Sequence, residues 1–266
     1  MHEQKGQVLY VSHGGGPLPL LGDPGHRSMV TFMQDLPSKL HMPEAILVIS
    51  AHWEERYPTV LGSENPPMLY DYYGFPEQAY ALKYPAKGNP GLAKRIVELL
   101  EKSGMVAHIT EDRGFDHGLY VPLLLMYPEA EIPVIQLSLV KGLDALTHLR
   151  MGKALQSLLS ENILIIGSGF SFHNMQAFSW QESQKVDTDN DAFQDWLIDV
   201  CCGMHSSEER VSLLTSWQDA PYARYCHPRE EHLLPVHVCA TLANDKASVI
   251  FDDYILGKRA IALCWQ

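Results

Sequence analysis

The sequence predicts a single α/β domain over residues 1–266, with a central, mainly buried β-sheet flanked by helices. Three observations carry this expectation. Short, continuously apolar runs recur along the chain, several of them too apolar for a sheet with one wet face. They alternate with segments of helical period, the pattern of an α/β fold. No repeat, low-complexity tract or linker-like change of composition divides the 266 residues, and 46% hydrophobic content suffices for a sizeable core.

Strands are expected at 8–12, 45–51, 59–62, 106–110, 133–139 and 163–167. The helix at 90–102 has Asn89 as its N-cap and Gly104 as its stop. Further helical patterns run over 119–126, 143–159, 189–202 and 228–242. Between the third strand and the first of these helices, residues 63–85 read SENPPMLYDYYGFPEQAYALKYP and show no sustained period. Such a loop is either a proline-rich surface Ω-loop or an aromatic cover for a small aromatic substrate.

The formal net charge of −12 repels phosphates, which argues against a nucleic-acid partner. The N-terminal segment MHEQKGQVLYV lacks a long apolar stretch, and no run approaches the roughly 18 apolar residues of a membrane span, so a soluble, cytoplasmic protein is expected. Five cysteines without a CxxC pair read as reduced, buried thiols.

Five histidines stand at junctions between elements. His13 follows the first strand in VSHGGGP, His52 follows the second in VISAHWE, and His173 lies just past the strand at 163–167 in GFSFHN. His117 sits in GFDHG before a helix, and His232 in REEHLLPV falls on the first turns of the helix expected at 228–242. Parallel strands deliver their carboxyl ends to one rim, where ligands bind. Any one of these residues alone is as readily a hydrogen-bonded core histidine. Together they suit a metal site, because neutral imidazole is the commonest metal ligand and a facial set of three leaves positions open for substrate. Two rival readings of VSHGGGP are weaker. A phosphate cradle needs GxxxxGK(S/T) or GxGxxG opening a helix, whereas Pro17 follows the glycines and no lysine is correctly placed, and a lipase-type loop needs a GxSxG elbow, whose second glycine GFSFH around Ser171 lacks.

Taken in order, SHGGGP, ISAHW, GFDHG, SGFSFHN and EEHLLPV, with the linking phrases DYYGFP and YPAKGNP, resemble the class III extradiol ring-cleaving dioxygenases, and within them the 4,5-DOPA extradiol dioxygenase-like proteins. The resemblance implies an α/β fold, one mononuclear metal, a small catecholic substrate and O2. The metal is Fe(II) in the active enzyme, and Zn(II) is compatible with the purified protein. By matching phrases it makes His13, His52 and His232 metal ligands, His173 the acid–base and, with zinc and no substrate, a fourth ligand, and His117 a second active-site histidine. Better-studied members use two histidines and a glutamate, so Glu230 and Glu231 compete with His232 for the third position. The triplet in HGGGP departs from the shorter HGSP-like form of the family's first motif, which bears on loop shape and substrate choice. A zinc-binding, non-oxidative or interaction protein of the same fold is the alternative, and a serine hydrolase using Ser168 or Ser171 is a third.

Overall fold

The computed structural model describes residues 6–179 and 186–266. Among these, eight strands form one sheet: β1 (Gln7–Ser12), β2 (Ala45–Glu55), β3 (Thr59–Leu61), β4 (His108–Thr110), β5 (Val134–Val140), β6 (Ile163–Gly169), β7 (Ser248–Ile255) and β8 (Lys258–Trp265). Their order is β4-β3-β5-β2-β6-β1-β8-β7. The middle four, β5, β2, β6 and β1, are parallel, and antiparallel pairings join them to β3 on one side and β8 on the other.

Every residue of β1 and β6 is buried, on both faces of the pleat, so helices must cover the sheet on both sides. The helices are α1 (Arg27–Asp35), α2 (Glu77–Tyr80), α3 (Pro90–Lys102), α4 (His117–Met126), α5 (Ala145–Ala154), α6 (Thr188–Cys202), α7 (Ser207–Thr215), α8 (Ala223–Cys226) and α9 (Leu234–Ala243). Helix α9 lies on β1, β2 and β6 with α5 against it, and α4 lies on β2 and β6 with α1 against it. Gly152 permits the close approach of α5 to α9, since a Cβ there would stand 2.1 Å from the Val238 carbonyl oxygen.

The expected α/β architecture is present, and several element boundaries differ from expectation. The segment 143–159 is not one helix: the Leu155 N–H bonds to Gly152 O, tightening the chain into a 3-10 turn at Gln156–Ser160. The helix expected at 228–242 starts at Leu234 instead, so His232 stands in the turn before it. The reason lies in the sheet: Phe170 N–H and the Tyr10 hydroxyl both donate to His232 O, which holds residue 232 out of the helical ladder. Strands β7 and β8 and helices α1 and α7 were not expected. The β7–β8 hairpin turns at Leu256 and Gly257, both in the left-handed region, with a leucine where Asn or Asp normally announces such a turn. Helix α1 starts at His26 with no side-chain cap. Among the described residues no helix is long and apolar enough to cross a membrane, and all five cysteines are free, four of them buried.

Candidate metal centre

The parallel register sets the site. Ser12 of β1 lies beside Gly169 of β6, and Ser50 of β2 beside Ser168, so the ends of β1 and β6 and the irregularity of β2 after Ser50 share one rim. His13 follows Ser12 there. His52 sits in an irregularity of β2, where residues between Ser50 and Glu54 have no partner on β5. That bulge is pinned by a partly buried pair: Arg113 donates to His52 O (3.1 Å) and to Asp116 Oδ2 (2.9 Å), while Asp116 Oδ1 accepts from Ser50 Oγ (2.8 Å) and caps α4 through Leu119 N. His117 is the first residue of α4 and therefore faces the same rim. His232 approaches from the turn before α9. Gly169 makes room for that turn, because a Cβ there would lie 2.0 Å from His232 O.

Three imidazoles converge. His52 Nε2 stands 2.9 Å from His13 Nε2 and 3.2 Å from His232 Nε2, and one nitrogen from each ring lies within 4.8 Å of the others. The opposite nitrogens decide the protonation. Ser168 Oγ spends its proton on Gly118 O, so it accepts from His13 Nδ1–H at 3.0 Å, and Glu231 Oε1 accepts from His232 Nδ1–H at 2.9 Å. His13 and His232 thus present unprotonated Nε2 atoms toward His52. All three rings are held well below the usual histidine pKa, chiefly because burial disfavours the cation and because neighbouring imidazoles repel it. The lone pairs of His13 and His232 point at His52 Nε2 from about 3 Å, the spacing that ligands at right angles, each about 2.1 Å from a metal, require. The donor set fits a divalent metal.

The other two predicted histidines flank this trio. His117 donates from Nδ1 to Asp71 Oδ1 (2.8 Å), and its ring centroid is 3.8 Å from that of His52. His173 stacks on His232 with centroids 3.4 Å apart and planes 20° apart, and its Nδ1 lies 3.2 Å from Glu231 Oε1. Its nearest donor grouping is therefore with Glu231 and His232, adjacent to the trio. Glu231 lies on the Nδ1 side of His232, away from the converging Nε2 atoms, and Glu230 pairs with Arg224 at 2.6 Å. Burial alone would raise the Asp71 and Glu231 carboxyls, but hydrogen bonds from His117 and His173 respectively hold both below the ordinary carboxylate value.

Sequence reasoning missed Asp71, Asp116, Arg113, Ser168 as a partner of His13, and His26. His26 is fully buried, donates to Asp23 Oδ2 (2.6 Å) and accepts Gly15 N–H on Nε2 (2.9 Å), fixing the glycine loop behind His13. The loop at 63–85 does cover the rim: Phe75 lies 3.4 Å from where a Gly16 Cβ would be, and Tyr72 sits 5.9 Å from the His117 ring. The hydrolase alternative has no support in this geometry. Gly15 N–H is consumed by His26, Ser171 is fully buried with Oγ accepting from Ile261 N, and Ser168 is engaged by His13 and Gly118.

A parallel-sheet rim bearing three convergent imidazoles, with two more held by carboxylates, is a group of residues that could hold a metal ion. Comparison with known proteins then gives the family. The family described as catalytic LigB subunit of aromatic ring-opening dioxygenase matches residues 24–257, a span that includes His52, His117, His173 and His232 and begins after His13. The dioxygenase tasH of Hapsidospora irregularis is 39% identical over 270 residues, covering 93% of this chain and 82% of its own. The 4,5-DOPA dioxygenase extradiol of Beta vulgaris is 39% identical over 253 residues (93% and 91%), and that of Escherichia coli 34% identical over 229 residues (86% and 82%). A solved structure, an uncharacterized protein from Escherichia coli K12, superposes with a TM-score of 0.79 at 28% identity, covering 98% of this chain and all of that one. The chain belongs to the LigB family of aromatic ring-opening dioxygenases, the class III extradiol enzymes.

Proposed function

We propose that the protein is a metal-dependent extradiol dioxygenase that opens the ring of a small, DOPA-like catechol with O2. The observation that supports this most is the trio of Nε2 atoms of His13, His52 and His232, facing one another with two of the three fixed as lone pairs by Ser168 and Glu231. The names of the beet and Escherichia coli relatives, 4,5-DOPA dioxygenase extradiol, favour a catechol carrying an amino-acid chain.

These three residues would hold Fe(II), which when bound supplies a template for both catechol oxygens and an electron route to O2. The remaining work falls to the chain. A catechol must shed a proton near neutral pH, and His173, tied through Nδ1 to Glu231, takes it on its other nitrogen and later returns it to an oxygen of the opening ring. His117, oriented by Asp71, hydrogen-bonds oxygen or substrate from the opposite side. Tyr72 and Phe75 limit water over the ring. In the overall reaction both oxygen atoms enter the product, the ring C–C bond beside the diol breaks, and a muconic-semialdehyde-type product leaves.

The test is anaerobic reconstitution with Fe(II), followed by O2 uptake and absorbance with a panel of catechols. Stoichiometric O2 consumption with a yellow product is expected; no turnover across the panel rejects the reading. An all-nitrogen set also suits Zn(II), so the second reading is a zinc protein of this fold without oxidation. Tight zinc binding combined with an inert iron-loaded form would select it.

A further inference from the structure

Resting on the metal-centre reading, we infer that Glu231 is a positioning residue that sets, through one carboxylate oxygen, the tautomer of both a metal-holding imidazole and the acid–base imidazole. Oε1 lies 2.9 Å from His232 Nδ1 and 3.2 Å from His173 Nδ1. The two rings come from different parts of the chain, His173 from the loop after β6 and His232 from the turn before α9. Their near-parallel stacking, 20° between planes, brings both Nδ1 atoms to the same oxygen, which His232 meets in a hydrogen bond and His173 at ion-pair distance. A carboxylate oxygen has two lone pairs and no proton to offer, so each ring that approaches it does so with its proton on Nδ1.

The carboxylate is itself held. Glu231 is 8% exposed, and Arg229 spans from Glu54 Oε2 (2.7 Å) to Glu231 Oε2 (3.3 Å), fastening it to the end of β2 beside His52. The neighbouring Glu230 turns away to Arg224. Asp71 offers no such shared oxygen: it bonds His117, but its Oδ2 stands 3.8 Å from His52 Nδ1, beyond hydrogen-bond range. Carboxylates behind metal-bound imidazoles raise ligand basicity and fix ring orientation, an effect of about 10–100-fold in metal affinity. Glu231 adds to that the alignment of a second ring that holds no metal.

The experiment uses the full chain, with Glu231→Ala, the near-isosteric Glu231→Gln and the control Glu230→Gln, all checked for folding by circular dichroism. Zn(II) affinity is measured by competition with a chromophoric chelator, and imidazole nitrogens are assigned by long-range 1H–15N correlation in metal-free protein. We expect Zn(II) affinity to fall about 10–100-fold in Glu231→Ala, less in Glu231→Gln, and not in Glu230→Gln. In Glu231→Ala the nitrogen shifts of both His173 and His232 should move away from the pure Nδ1–H pattern. Affinity within about threefold of wild type in folded Glu231→Ala, or nitrogen shifts that move in only one ring or neither, overturns the inference. Failure of wild type to take up Zn(II) at all overturns the metal-centre reading instead, while the metal-free spectra still decide the tautomers.

Discussion

His148 and His237 lie as deep in the protein as His13 and His232, and all four rings are neutral, yet the two pairs are partnered differently. His148 donates from Nδ1 to Asp144 O and accepts Val140 N–H on Nε2, so both nitrogens are consumed by backbone; His237 donates to Leu214 O. At the strand ends the donors are spent on Ser168, Asp71 and Glu231 and the remaining nitrogens face other imidazoles. Burial does not separate a structural histidine from a ligand. What sets His148 apart is that its second nitrogen meets a backbone N–H, where those of His13 and His232 meet another imidazole, and this contrast can be broken experimentally in graded steps.

The largest effect belongs to the trio. Replacing His13, His52 or His232 by Ala removes one ligand from a site whose total binding, about 10–16 kcal/mol when four ligands close a structural zinc centre, assigns on the order of 3 kcal/mol to each. Metal affinity should fall on the order of 10² or more, with activity following occupancy; elemental analysis after gel filtration measures it. Full occupancy in both His13→Ala and His52→Ala would remove the distinction between the two kinds of histidine.

Next comes His173. His173→Ala should retain metal while turnover falls on the order of 10²–10⁴, the worth of a positioned proton-transfer group. Metal loss in parallel with activity would instead make His173 a ligand. His117→Ala should fall toward the low end, about 10², and Asp71→Asn should reproduce it more weakly at unchanged metal content, because Asp71 bonds His117 and only approaches His52. Steady-state kinetics with parallel metal analysis separates these outcomes.

Much of this was legible before any coordinates, for identifiable reasons. Parallel strands share a rim, so apolar runs ending in His13 and His52 were enough to bring those two together. His232 was legible as a site residue but not as a turn residue, because the backbone bonds that hold it out of α9 come from Phe170 and Tyr10, far away in sequence. Asp71 and Glu231 could not be assigned from sequence, since their roles depend on which nitrogen of which ring they meet. Even so, Asp71 lay inside an aromatic loop already suspected of covering a substrate. His26 left no signal, because its two bonds, from Gly15 N–H and to Asp23, are set by loop geometry and not by any pattern of residues. The β7–β8 hairpin was missed because the Leu256-Gly257 turn carries half of the usual marker.

The smallest effect is also the cleanest, because it must appear in stability and leave the chemistry alone. His148→Ala leaves Val140 N–H and Asp144 O without their ring partner, costing about 1–3 kcal/mol near pH 7.5 with metal content and turnover unchanged. The cost should shrink in acid. Burial pushes the His148 pKa down to about 4, below the unfolded value, so the unfolded chain binds the extra proton first and wild type loses this part of its stability as pH falls from about 6.5 toward 4. The variant has no such proton to take up, and the other titrating groups are common to both proteins. The gap between their unfolding free energies should therefore narrow by up to about 1.4 kcal/mol per pH unit and close or reverse before the lower end of that window. Urea denaturation of both proteins at several pH values, with chelator present, measures it. A gap that stays constant or widens on acidification would mean that His148 is protonated in the fold, and that it is not the neutral, backbone-satisfied ring from which the strand-end cluster is distinguished.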